Sequence, residues 1–281
     1  MITGCVDVGG GLRDIYGAGV FDCLIDNNIG FDYCIGVSAG SANCASFLAN
    51  QKGRNKKFYL EYLLRKEAIG PRPFIKTGSL LDLEYVYGTL CEAEGENPLD
   101  YSAMLKSKTE LTVVATDAVT AAPVYFDMRK DMAQNDYSIL MASCCLPVFC
   151  KPIKINGRVY YDGGLSDPIP FKKLLEKGCD KIVIILTKPI EGELNQGRNA
   201  LGAKMLRRKY PLFSESMEAA SEVYNKQLSE ALQLQEEGKA IIIAPDDIMG
   251  MGTLTRDFEK LEALYEKGYK DAEKIKEFMA E

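Results

Sequence analysis

A serine flanked by glycines, Gly36-Val37-Ser38-Ala39-Gly40, follows the apolar run Phe31–Val37 in a chain of 281 residues that contains no histidine. The G-x-S-x-G spacing builds a tight turn between a strand and a helix, where small neighbours let the backbone fold sharply and leave the hydroxyl exposed as a nucleophile. Such a hydroxyl needs a base to take its proton, and imidazole is the usual one. Without imidazole a serine-histidine-aspartate triad is excluded within this chain. Ser38 therefore works with a carboxylate or an amine, or it is a packing residue at a close strand–helix turn. Ser41 and Ser46, on the helix that follows, read as packing or surface residues.

Three other segments bear on that choice. Gly9-Gly10-Gly11-Leu12-Arg13 comes directly after the first strand-like run. Its glycines let the backbone turn with N–H groups outward, as donors for a developing oxyanion. A tight turn or a phosphate loop would use the same residues. A dinucleotide fingerprint, G-x-G-x-x-G, fails because its last glycine position, counted from Gly9, is Asp14. Asp162-Gly163-Gly164 follows Arg158-Val159-Tyr160-Tyr161, so an aspartate stands at a strand end where the chain opens into a loop. α/β enzymes collect site residues there, although Asp-Gly is also a common turn dipeptide. The third segment, Ala142-Ser143-Cys144-Cys145-Leu146-Pro147-Val148-Phe149-Cys150-Lys151-Pro152, reads as a helix end entering an apolar, proline-bounded loop. It could line an acyl pocket or be an ordinary buried connection.

The elements that must position these residues alternate. A strand over Ile2–Val8 leads to a helix over Ile15–Asn28, a strand over Phe31–Val37 and a helix from Ala39 to about Asn50. Further strands are expected at Glu110–Thr116, Ala122–Asp127, Arg158–Tyr161, Lys181–Leu186 and Ala240–Ala244. Strand–helix alternation of this kind implies an α/β fold with a mostly parallel sheet covered on both faces. From Asn199 onward helices dominate, with Glu215–Glu237 and Leu254–Met279 the clearest. In the last, Leu254, Phe258, Leu261, Leu264, Tyr265, Ile275 and Met279 make one apolar face of the kind that docks on a core. The expected organisation is an α/β hydrolytic domain over 1–190 with a mostly helical extension over 191–281 packed on it.

Taken in order, the G-G-G-x-R loop, G-x-S-x-G, the A-S-x-x-x-P segment and D-G-G resemble the patatin-like phospholipase family over roughly residues 2–175. The helical remainder resembles an extension of bacterial members. The resemblance implies a three-layer α/β sandwich and a Ser-Asp dyad hydrolase acting through an acyl-enzyme on lipid acyl esters, which the missing histidine fits. Ser38 matches the nucleophile and Asp162 the base, while the N–H groups of Gly10 and Gly11 match the oxyanion hole. Gly9, Arg13, Gly36, Gly40, Gly163 and Gly164 match supporting positions of the motifs. Asp14 departs from the family, which usually has glycine there. It is expected to cap the helix from Ile15, and as a carboxylate near the oxyanion hole it would oppose the negative charge formed there. The rival to catalysis is therefore an acyl-binding protein that keeps the fold, and a peptidase on the same elbow is a further alternative.

Composition narrows the remaining classes. A net charge of −6 argues against nucleic-acid binding, which needs clustered cations to neutralise phosphates. Nine cysteines without C-x-x-C pairs suit free thiols in a reducing compartment rather than a zinc framework. No metal or other cofactor is expected. The start of the chain lacks the basic and apolar regions of a signal peptide, and no window approaches 18 apolar residues, so a cytoplasmic protein is expected. The basic cluster Lys204-Met205-Leu206-Arg207-Arg208-Lys209 could meet anionic head groups or be a solvated helix face, which leaves peripheral membrane contact open.

Overall fold

The computed structural model describes residues 1–191 and 199–280. Eight strands form one sheet: β1 (Thr3–Asp7), β2 (Tyr33–Val37), β3 (Glu110–Asp117), β4 (Pro123–Asp127), β5 (Ile153–Ile155), β6 (Arg158–Asp162), β7 (Lys181–Ile185) and β8 (Ala240–Ile243). β1 is central, paired in parallel with β2 on one side and β7 on the other. β2–β3 and β7–β8 are also parallel, whereas β4 and β6 pair antiparallel with β3, and β5 antiparallel with β6. β5 was not anticipated from the sequence; with three residues it is too short to carry a readable alternation.

The central strands are apolar on both faces because both are covered, as crossover helices require. Cys5, Cys34, Val183 and Ile185 face one layer with α1 (Ile15–Asp26) and α2 (Ala39–Leu48). Their neighbours Val6, Ile35, Ile182 and Ile184 face the other, with Phe171, Leu174, Leu228 and Ala231 of the helices Phe171–Glu176 and Pro211–Glu236. Successive side chains of a strand point to opposite faces, so this alternation makes the three-layer sandwich.

Register brings two strand ends together. Val113 pairs with both Gly36 and Phe126, and Ala115 with both Val124 and Asp162. A strand has two sides, so β4 occupies one side of β3 while β2 and β6 share the other. β2 runs with β3 and ends at Val37 opposite Val114; β6 runs against β3 and ends at Asp162 opposite Ala115. The two carboxyl ends therefore meet on consecutive rungs.

The carboxy-terminal region contributes β8 to the same sheet and grips α1. The helix Phe258–Asp271 lies so close that a Cβ at Gly19 would stand 2.1 Å from the Tyr265 carbonyl oxygen, and one at Gly268 2.0 Å from that of Tyr16. Hydrogen bonds from the Tyr16 hydroxyl to Asp271 and from the Tyr265 hydroxyl to Asp22, both 2.7 Å, flank that contact. The boundary expected at 190/191 adjoins residues 192–198, which lie outside the described residues. The single helix expected over 254–279 is two, Phe258–Asp271 and Glu273–Ala280. Asp257 caps the first by accepting the Lys260 N–H, which excludes Leu254 from it, and Phe258 is exposed rather than core-facing.

Candidate active site

Ser38 occupies the turn between β2 and α2 with φ 54° and ψ −134°, a backbone conformation costly for a residue with a side chain. Neighbouring hydroxyls hold it there. The Ser38 N–H donates to Ser143 Oγ at 2.8 Å, Ser143 Oγ donates to the Val114 carbonyl at 2.6 Å, and Ser41 Oγ donates to the Ser38 carbonyl at 2.7 Å. The flanking glycines are demanded by space. A Cβ at Gly36 would fall 2.3 Å from the Ser41 Cα, and one at Gly40 2.4 Å from the Asp7 carbonyl oxygen.

The meeting of β2 and β6 brings Ser38 to Asp162, whose Oδ2 accepts the serine hydroxyl at 2.6 Å. Asp162 Oδ1 accepts the Gly164 N–H at 2.9 Å, which fixes the carboxylate plane. Gly163 passes so near β3 that a Cβ would lie 2.3 Å from the Val114 carbonyl oxygen. Burial pushes the Asp162 carboxyl up to about 6, opposed by these two hydrogen bonds. The result is a carboxylate at neutral pH that is a stronger base than an exposed aspartate.

The glycine loop leaves β1 beside them. Gly9, Gly10 and Gly11 all have positive φ (67°, 149° and 63°), and a Cβ at Gly10 would collide with Thr187 Oγ1 at 2.2 Å. Thr187 donates to the Gly9 carbonyl at 2.6 Å, and the Leu12 N–H donates to the Thr253 carbonyl at 2.9 Å. Gly11 opens a single 3-10 turn, whose first N–H groups the turn itself leaves unpaired. Among the described residues the N–H groups of Gly10 and Gly11 have no protein acceptor. Arg13 is buried and donates to the Met251 carbonyl at 3.4 Å, so it ties the loop to the carboxy-terminal region.

Asp14 does not cap α1: its side chain takes no hydrogen bond from a first-turn N–H. It turns inward against Asp7, the last residue of β1. Asp7 accepts the Gly9 N–H at 3.1 Å and Asn43 Nδ2 at 3.3 Å, whereas neither Asp14 oxygen receives an N–H or hydroxyl. Two buried carboxyls in contact cannot both ionise, and the proton goes to the one without donors. Asp14 is accordingly raised well above the usual carboxylate range, by burial and then by the Asp7 charge. The charge expected to oppose an oxyanion is thereby removed from Asp14.

These groups open onto a cavity of about 580 Å³ lined by Gly9, Gly10, Gly11, Ser38 and Asp162, with Leu146–Phe149 on one wall. It lies outside the carboxyl ends of β1 and β7, where connections diverge to the two sides of the sheet, a place where α/β folds bind ligands. The described residues contain no cluster of histidine, cysteine and carboxylate side chains suited to a metal ion, and the nine cysteines are buried and unpaired. None of the described helices is long and apolar enough to cross a membrane. Lys204 lies exposed on the helix Ala200–Leu206, with Arg207, Arg208 and Lys209 exposed just beyond it. Sequence reasoning gave no role to Ser143, Thr187 or Asp7. Ser143 was within reach, since it stands in the A-S-x-x-x-P segment; Thr187 had only its place after a strand as a signal.

Comparison with known proteins agrees with this architecture. The family described as patatin-like phospholipase matches residues 8–175, and a domain of unknown function, DUF6363, matches residues 210–281. The chain is 34% identical over 187 residues to the uncharacterized protein YjjU of Escherichia coli strain K12, covering 64% of this chain and 50% of that protein. It thus spans about half the length of the curated relative it matches. Among solved structures, VipD from Legionella pneumophila is similar in fold, with a TM-score of 0.56 at 15% identity over 98% of this chain and 66% of that one. The family match takes in more than half of the sequence, and it includes the glycine loop, the serine elbow and the Asp-Gly-Gly turn: the chain belongs to the patatin-like phospholipase family.

Proposed function

We propose that the protein hydrolyses carboxylic esters of lipid-like substrates through a Ser38–Asp162 dyad. Asp162 accepts the Ser38 proton as Oγ attacks the acyl carbon. The oxyanion is held by the N–H groups of Gly10 and Gly11, aided by the positive end of α2, which begins one residue after Ser38. Asp162 returns the proton to the leaving alkoxide, which departs as the alcohol and leaves an acyl-serine. Water, deprotonated by the same carboxylate, then attacks the acyl-serine, and the serine oxygen recovers that proton as the acid is released. The observation that carries this reading is the 2.6 Å hydrogen bond from Ser38 Oγ to Asp162 at the wall of a large cavity, in a chain with no histidine.

The test is hydrolysis of p-nitrophenyl esters by wild type, Ser38→Ala and Asp162→Asn, with fluorophosphonate labelling read at Ser38. Both variants are expected to lose about 10³-fold or more in kcat/KM. Ligand binding with neither turnover nor labelling would replace this reading with that of a non-catalytic acyl-binding protein.

Contact with a lipid surface belongs to the same reading. Leu201 (76% exposed) and Met205 (62%) stand one turn apart on the helix Ala200–Leu206, and Leu201 reaches the cavity wall. The basic run through Lys209 continues from them, so an apolar rim is flanked by cations, the combination that favours anionic lipid. Co-sedimentation with vesicles containing anionic lipid is expected, weakening several-fold in Leu201→Ser/Met205→Ser and in high salt. Equal partitioning to neutral and anionic vesicles would remove the role of the cations.

A further inference from the structure

Ser38 stands at the junction of two cavities. The wide one holds about 580 Å³; the other is a slot of about 30 Å³. Both touch Gly11, Ser38, Leu146 and Leu254, but Asp162, Gly10 and Gly164 line only the wide one. The slot is walled by Leu12, Leu63, Ile69, Leu81 and Val86, with Tyr59 and Tyr87 among them. Away from Ser38 and Gly11, the polar side chains of its wall are engaged: Cys144 Sγ donates to the Tyr87 hydroxyl at 3.2 Å, and the Tyr59 hydroxyl donates to Asn43 at 3.5 Å. What the slot offers a ligand is carbon.

The stereochemistry of ester cleavage decides what each cavity holds. The tetrahedral carbon carries four groups: Ser38 Oγ, the oxyanion, the acyl chain and the leaving oxygen. The serine and the glycine N–H groups fix the first two, so the other two leave in different directions. The leaving oxygen must take the proton held by Asp162, and the water that follows must give one to Asp162. Both events therefore occur on the side that Asp162 lines.

We propose, resting on the dyad reading above, that the wide cavity takes the alcohol portion of the substrate and the apolar slot takes the acyl chain, which restricts the enzyme to short acyl groups. The slot has about one twentieth of the wide cavity's volume, so it takes the slimmer of the two groups. Short acyl chains suit the slot, attached to a bulky and largely apolar alcohol in the wide cavity. Two π-helical segments, Phe58–Tyr62 and Glu84–Thr89, supply Tyr59, Val86 and Tyr87 to the slot, and such segments often occur where a helix is adapted to a site.

The experiment measures kcat/KM for p-nitrophenyl acetate, butyrate, octanoate and laurate with wild type, Leu63→Ala, Leu81→Ala and Met217→Trp. Met217 lines the wide cavity only. Wild type is expected to favour acetate or butyrate over octanoate by about tenfold or more, since one methylene too many in a tight apolar pocket costs about 10-fold or more. Leu63→Ala and Leu81→Ala, two independent truncations in case one folds poorly, should each raise the octanoate-to-acetate ratio several-fold. Met217→Trp should leave that ratio unchanged while slowing 2-naphthyl relative to methyl esters. A wild-type optimum at octanoate or laurate, or a chain-length preference that moves with Met217→Trp and not with the leucine variants, would overturn the assignment while leaving the dyad intact. Absence of turnover on every ester, with no fluorophosphonate adduct at Ser38, would overturn the dyad reading and the assignment with it.

Discussion

Asp162 and the Asp7–Asp14 pair are buried acids at the carboxyl side of the same sheet, and burial raises all three, yet they do different things. Asp162 ends β6 with one oxygen on Ser38 Oγ and its carboxyl in the cavity wall. Asp7 ends β1 with its oxygens on the Gly9 N–H and Asn43, and Asp14 seals it from above. A raised carboxyl is therefore no sufficient mark of a catalytic base. Contact with Ser38 and the cavity separates the two sites, and the sealed pair anchors the glycine loop, whose N–H groups are the proposed oxyanion donors. Gly17 makes room for that anchor, since a Cβ there would stand 2.6 Å from Asp14 Oδ1 and 2.7 Å from Asp7 Oδ2.

The sharpest way to break this comparison is turnover. Asp162→Asn should abolish esterase activity by the factor given above, while Asp14→Asn, whose amide can donate to Asp7 as the protonated acid does, should stay within about threefold of wild type. Equal losses in both variants would make the pair part of the chemistry. The pH dependence sharpens it next. As the proposed base Asp162 must be ionised to accept a proton, and burial pushes its carboxyl up to about 6, so kcat/KM should fall about tenfold per unit below pH 6 and level off above it. Asp14→Asn should keep that limb. A limb near pH 4 in wild type would mean that the base is an exposed carboxylate and not Asp162.

The sequence made the partners of the site legible but not their environment. Ser38, Asp162 and the glycine loop lie in motifs because backbone turns restrict residue type locally: Gly36 and Gly40 have no room for a Cβ, and Gly10 has both a positive φ and a close neighbour. The sheet was legible because its strands are continuous apolar runs. What could not be read is whatever depends on contacts between distant segments. Asp14 looks like a helix cap from its neighbours alone; only the end of β1 beneath it turns it into half of a proton-sharing pair. The break after Leu254 is set by the Asp257 cap, which the apolar spacing of that segment conceals. The slot behind Ser38 is assembled from residues between Leu12 and Leu254, and no spacing in the sequence reports a volume.

Stability gives the smallest of the expected effects and bears on the same contrast. An acid whose carboxyl is raised by folding contributes stability that is fully present below its unfolded value, about pH 3.9, and is lost as pH rises through its folded value. For Asp162 that loss is complete a little above pH 6, so Asp162→Asn should be more stable than wild type at pH 8, by on the order of 3 kcal/mol, and no more stable at pH 4. Asp14 is raised further, so it holds its proton to higher pH than Asp162 does, and above about pH 6 its partner Asp7 carries the charge in both wild type and Asp14→Asn. Above pH 4 wild type must still take up a proton at Asp14 to fold, and the amide removes that cost. The advantage of Asp14→Asn should therefore keep growing with pH where that of Asp162→Asn has levelled off. Thermal melts of both variants at pH 4, 6, 8 and 9 read the difference directly. An Asp14→Asn advantage that saturates at pH 6 alongside that of Asp162→Asn would mean that Asp14 ionises in the folded protein, and the anchor under the glycine loop would then be a pair of charges instead of a shared proton.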